Sequence, residues 1–238
     1  MPRKKPTQNK YWKIASFLPY NSGEKGGFFV WDFFEDDWQD LTESRNVGSI
    51  YLTHLIRRNT DEEAYNTLLK ILNSGKIKAS FSTFDGNKTV RGNKKAVCFQ
   101  DSSFDEMNEI ITGEKWFGIN QKYREFGMQI EKKKLFSLGA RPVIYDRVSD
   151  VIEYIDQNLH WRLVNIDFND KNCIDWTHEH EWRIPGDVML ESGDFRVIVK
   201  TEEYKKRLIH EPGMKELIKK SKNIVVFENE VSKKIELS

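Results

Sequence analysis

Hydrophobic residues recur along this chain in short runs parted by polar turns, and two periods alternate. Asp61 to Leu72 carries Ala64, Leu68, Leu69 and Leu72 at helical spacing, which predicts an amphipathic helix with Thr60 as N-cap and Asn73-Ser74-Gly75 as its stop. Ser49-Ile50-Tyr51-Leu52-Thr53-His54, Ile77 to Phe81 and the compact apolar run Ala96-Val97-Cys98-Phe99 read instead as strands. Ser102 or Ser103 then caps a helix through Ile111. Phe126 to Ile130 and Arg141 to Tyr145 read as strands, with a short helix, Glu131 to Leu138, between them and a helix bearing Val151, Ile152 and Ile155 after them. Trp161 to Ile166, Glu181 to Ile184 and Phe195 to Lys200 follow as strands, then helices near Glu202 to Ile209 and Met214 to Lys220, and a last strand at Asn223 to Phe227. Many short strands with peripheral helices, without the regular alternation of a doubly wound fold, predict one α+β domain around a split or mixed sheet.

Domain limits follow from the same pattern. Residues 1–10 read as a flexible basic arm, and 11–238 as a single domain in which 11–47 forms an aromatic-rich N-terminal extension. Those aromatics suit core packing, and base stacking is the other use of such a segment. Across 238 residues, 38 Lys and Arg stand against 37 Asp and Glu, so bulk charge argues neither for nor against nucleic acid. Cys98 and Cys173 have no metal-ligand spacing, which points to a reducing cytoplasm and to buried thiols rather than a disulfide or a zinc site. No apolar run is long enough to span a membrane.

The densest chemistry lies in Asp175-Trp176-Thr177-His178-Glu179-His180-Glu181-Trp182-Arg183-Ile184-Pro185-Gly186-Asp187. Taken as extended, this segment puts Glu179, Glu181 and Arg183 on one face and His178, His180 and Trp182 on the other. Three readings are open. Paired carboxylates can bind a sugar hydroxyl and stabilise positive charge developing on the ring. His-x-His beside carboxylates can hold zinc. In the third reading Glu181 and Arg183 belong to a surface charge ladder and the tryptophans to the core.

Four blocks in order resemble the ADP-ribosyltransferase-like toxins of bacterial phage defence, namely the AbiGi abortive-infection family and, more distantly, the DarT nucleic-acid ADP-ribosyltransferases. They are Ile50-Tyr51-Leu52-Thr53-His54 with Leu68 to Ile77, then Ala96 to Ser103, then Tyr123-Arg124-Glu125-Phe126-Gly127-Met128 with Leu138 to Tyr145, and finally His178 to Asp187. Together they cover about residues 48 to 190. The resemblance implies a split-sheet fold that takes NAD as substrate. Thr53 and His54 match its cofactor-gripping first strand and Glu181 its ribose-binding glutamate; Glu179, two residues before Glu181, is the second candidate catalytic carboxylate. Tyr123 or Phe99 supplies the aromatic that clamps nicotinamide. The second block lacks a Ser-Thr-Ser motif, and its Ser102 and Ser103 lie in a loop, Ser102 being the candidate cofactor contact. Asp101 stands where a nucleic-acid-directed relative has arginine, so Arg57, Arg58 or Arg124 is the candidate partner for a pyrophosphate.

What the resemblance implies is an NAD-dependent toxin that transfers ADP-ribose to a macromolecule, with nucleic acid the favoured acceptor and an antitoxin protein as partner. A protein acceptor on the same fold is an alternative, and so is a non-catalytic binding module or antitoxin.

Overall fold

The computed structural model describes residues 49–84, 87–116, 123–169 and 172–232. The expected basic arm and aromatic extension lie outside these. Strands β1 (Tyr51–Arg57), β2 (Ala96–Gln100), β3 (Tyr123–Glu131), β4 (Arg141–Pro142), β5 (Glu181–Pro185), β6 (Phe195–Val199) and β7 (Asn223–Val226) form a seven-stranded sheet in the order β7-β6-β3-β1-β2-β5-β4. Every neighbouring pair is antiparallel except β6 and β7, which run parallel. The sheet is therefore mixed, and with its helices the chain is α+β.

Alternation along the strands gives the sheet two different faces. Leu52 and Ile56 of β1, Phe99 of β2, Met128 of β3 and Ile184 of β5 join the main core. Covering it are α1 (Asp61–Ser74) through Tyr65, Leu68 and Leu72, then α3 (Lys132–Ser137), α5 (Glu202–His210) and α6 (Met214–Ile218) through Leu135, Leu208 and Met214. Helices α2 (Phe104–Trp116) and α7 (Phe227–Ser232) cover part of the opposite face, where Met107, Ile111 and Phe227 pack on Leu55, Tyr123 and Ile198. Between α3 and α5 the described residues hold one further α-helix, the single turn α4 (Val148–Val151).

Local chemistry explains the helix limits. Thr60 Oγ1 accepts from Glu63 N–H at 3.2 Å, the acids Asp61, Glu62 and Glu63 sit at the positive end of the α1 dipole, and Gly75 closes the helix at φ 65°. For α2 the cap is Ser103: its N–H donates to Glu106 at 2.6 Å and its Oγ accepts from the Glu106 N–H at 3.3 Å, a reciprocal capping box.

Several expected elements differ. Trp161 belongs to a 3₁₀ turn, Gln157–Arg162, and only Leu163–Asn165 after it is strand. The helix expected to reach Ile155 stops after Val151. Arg141 to Tyr145 breaks at Val143, whose N–H bonds the Glu181 carbonyl, leaving the β4 pair and a separate strand Ile144–Asp146. The carbonyls of Trp161 and Leu163 receive Arg183 Nη1, and Val143 N–H goes to Glu181, distant partners that local pattern does not encode.

Candidate functional site

Strands β1 and β2 share a single register pair, Thr53 with Gln100. Beyond it the ladder opens, and the Nδ1–H of His54 donates to the Cys98 carbonyl at 2.8 Å across the gap. A carbonyl can only accept, so this bond sets the imidazole tautomer. β1 also bulges between Leu55 and Arg57 against β3. That close approach requires Gly127, because a Cβ there would lie 2.2 Å from the His54 carbonyl oxygen.

The opening is a cleft of about 360 Å³ lined by Thr53, His54, Arg57, Gln100, Glu179 and Glu181 among others, within the range of small-molecule sites. Thr53, Gln100 and Glu181 of its lining belong to a lateral polar row, because residues paired across a sheet point to one face. Register pairs join Arg196 to Gln129, Gln129 to Thr53, Thr53 to Gln100 and Gln100 to Glu181. Thr53 is wholly buried, Gln129 Nε2 donates to its Oγ1 at 3.0 Å, and Gln100 is 4 % exposed with neither amide atom partnered among the described residues.

Glu181 is held by Arg183, two residues along the same face of β5: Nε meets Oε1 and Nη2 meets Oε2, both at 2.9 Å. Arg183 is buried and spends Nη1 on the carbonyls of Thr89, Trp161 and Leu163. A carboxylate offers about four lone-pair sites, so the side-on pair leaves room for further donors. Burial first and Glu181 second push the neighbouring Cys98 thiol far above its ordinary pKa, so it stays protonated. Neither Cys98 nor Cys173 is bridged, and Cys173, expected to be buried, is exposed.

Glu179 departs from the expected alternation. It ends a 3₁₀ turn, Thr177–Glu179, and His180 follows at φ 41°, ψ 49°. This left-handed residue breaks the extended run, so Glu179 and Glu181 reach the cleft from different elements. His178 and His180 likewise do not share a strand face with Trp182. His180 is exposed and lies 3.8 Å from Glu106, and among the described residues no group of three or more His, Cys, Asp and Glu is placed to hold a metal ion. Glu179 Oε1 instead accepts from the Tyr123 hydroxyl at 3.2 Å and lies 3.5 Å from Arg57 Nη2. Arg57 also donates to the Tyr123 hydroxyl and lies over its ring at 4.4 Å. Burial foremost holds that phenol well above its ordinary pKa, with Arg57 opposing and Glu179 adding to the rise.

The sequence-derived candidates Thr53, His54, Arg57, Phe99, Tyr123, Glu179 and Glu181 all line this one cleft. Two candidates sit differently from expectation. Phe99 is 1 % exposed, packed in the main core with His54 edge-on at 5.9 Å, so its ring is committed to packing rather than to a clamp. Ser102 is fully buried behind the site and is not part of the cleft lining. Asp101 is occupied by Lys132 at 2.7 Å and the Ser49 N–H at 3.0 Å. Arg124 is held by the carbonyls of Arg58 and Asn59 and by Asp61, whereas Arg58 lines the cleft. Arg141 bonds the Phe136 and Ala140 carbonyls. Gln100 and Gln129 were missed, because a lone glutamine carries no signal until register places Gln100 beside Glu181 and Gln129 beside Thr53.

Compared with protein-family models, with curated proteins and with solved structures, the chain finds no match in any of the three.

Proposed function

We propose that this cleft binds NAD and that the chain is an ADP-ribosyltransferase with a macromolecular acceptor, nucleic acid in the first instance, acting as a toxin in phage defence. The observation that carries the reading is one stretch of the cleft lining. There a fixed carboxylate, Glu181, stands next to an unpartnered amide, Gln100, and a buried hydroxyl, Thr53, with a second carboxylate, Glu179, at the same opening. Of these positions, the resemblance to AbiGi-like and DarT-like proteins implies NAD contacts at Thr53 and Glu181.

NAD supplies an ADP-ribosyl group activated by a cationic leaving group. Glu181, its orientation set by Arg183, accepts a hydrogen bond from the ribose and stabilises positive charge as it develops on the sugar. Arg57 and Arg58 present guanidinium groups suited to a pyrophosphate. Tyr123, buried like Phe99 and with Arg57 over its ring, acts through its hydroxyl, which holds Glu179 and Arg57 at the cleft. Glu179 lies where it can receive the proton of an incoming acceptor nucleophile.

A second reading, a binding module without turnover, draws on Arg183: it engages both oxygens of Glu181, so the carboxylate already has a structural use. Incubating the purified chain with NAD labelled in its adenylate half, together with RNA, DNA or lysate protein, separates the readings. Label in nucleic acid supports the proposal, label in protein alone moves the acceptor, and an unlabelled acceptor pool with intact NAD sinks it.

A further inference from the structure

Gln100 is the buried polar group of this cleft that folding leaves unpaid. Both atoms of its amide are shielded from solvent and lack a hydrogen-bond partner among the described residues, and the residue, only 4 % exposed, lines the cleft. Burying an amide in this way is unfavourable by about 1–3 kcal/mol or more unless something supplies the missing bonds. An apolar residue of similar size would avoid that penalty at no cost in packing. The flanking strand residues Val97 and Phe99 show that apolar side chains are otherwise the rule on β2.

Its position says what the partner is. Gln100 is the register partner of Glu181, on the same face of adjacent strands, so the two side-chain ends lie side by side about one strand spacing, ~4.8 Å, apart. Glu181 is an acceptor only. The amide of Gln100 both donates and accepts. A pair of this kind suits two adjacent hydroxyl groups, one donating to the carboxylate and the other both donating to the amide oxygen and accepting from the amide nitrogen. Thr53, the register partner of Gln100 on its other side, is occupied by Gln129, which leaves the Glu181 side for the ligand.

We infer that Gln100 is a ligand-binding residue that takes the second hydroxyl of a vicinal diol whose first hydroxyl is held by Glu181. This rests on the NAD reading above, where the diol is that of the nicotinamide ribose. Gln100 thereby makes the site selective for an intact ribose.

The test is a cycle of side-chain and hydroxyl deletions. Binding of NAD, and of NAD analogues lacking one or the other hydroxyl on the nicotinamide ribose, is measured by calorimetry for the wild-type chain, Gln100→Leu and Gln100→Met, with thermal unfolding of each ligand-free protein alongside. Loss of one particular hydroxyl is expected to weaken binding to the wild type about tenfold and to change nothing further in either variant. The ligand-free variants are expected to unfold at the same temperature as the wild type or higher, because an unpartnered amide has been removed. Equal penalties for each hydroxyl in wild type and variants overturn the assignment while leaving the NAD site standing. A marked loss of thermal stability with unchanged NAD binding overturns it too, and makes Gln100 structural. A wild-type chain that binds none of these nucleotides overturns both this inference and the reading beneath it.

Discussion

Glu181 and Arg183 point the same way from β5 and close a two-point pair, with both nitrogen-to-oxygen distances at 2.9 Å. Arg183 is the largest of the fully buried side chains, and Glu181 is 8 % exposed. Removing one partner of such a pair strands a charge away from water, at a cost of roughly 3–5 kcal/mol. Arg183→Met is therefore expected to lower the urea midpoint sharply and to abolish NAD turnover with it. An unchanged midpoint would mean that the pair is not held away from solvent.

Glu181→Gln is the milder change. The glutamine oxygen keeps one bond to Arg183, and the carbonyls of Thr89, Trp161 and Leu163 still receive Nη1, so the variant is expected to fold with a reduced melting temperature. Loss of the negative charge at the reacting sugar is expected to cost about 3 kcal/mol, over a hundredfold in transfer rate. Wild-type transfer by a folded Glu181→Gln protein would leave the carboxylate a structural role only.

Glu179 is tied to Tyr123 and Arg57, so two variants probe one network. Glu179→Gln is expected to abolish transfer to the macromolecule and to spare slow NAD hydrolysis, because a water nucleophile needs less help than a bulky acceptor. Tyr123→Phe removes the donor to Glu179 but keeps the ring, and is expected to lower transfer with a smaller effect on NAD affinity. Parallel loss of hydrolysis and transfer in Glu179→Gln would place Glu179 in ribose chemistry rather than acceptor activation.

His54 gives a pH dependence of known sign. Burial lowers its pKa below 6.5, with Arg57 acting in the same direction and the bond to the Cys98 carbonyl opposing. The unfolded chain takes up a proton near pH 6.5 and the folded chain does not, so stability is present above that pH and falls as pH drops through and below it. The slope is at most about 1.4 kcal/mol per pH unit. Urea unfolding of the wild type and of His54→Gln between pH 5 and pH 8 should show this component in the wild type alone.

Gly127→Ala places a methyl group 2.2 Å from the His54 carbonyl oxygen, backbone that cannot swing aside. The strands must part at the bulge that opens the cleft. A loss at or above the upper end of the usual overpacking range, about 1–3 kcal/mol, is expected in urea unfolding. Weakened NAD binding is expected alongside it, since Thr53, His54 and Arg57 are carried by the displaced strand.

What the sequence determined by itself was local. The α1 cap at Thr60 and stop at Gly75, an α2 cap at Ser102 or Ser103, and the apolar runs of β2 and β6 each draw on interactions within a few residues, and such signals survive without the fold. The α+β class followed from their order. The sheet order and the cleft were decided elsewhere, because strand register depends on which faces of distant segments are buried together. That is why Gln100 went unnoticed until Glu181, far along the chain, became its neighbour. It is also why Glu179 left the predicted face. Its turn and the left-handed His180 bring it to Tyr123 and Arg57, with which it is separated in sequence by 56 and 122 positions. Only closure of the tertiary structure could choose that geometry over a simple extended strand.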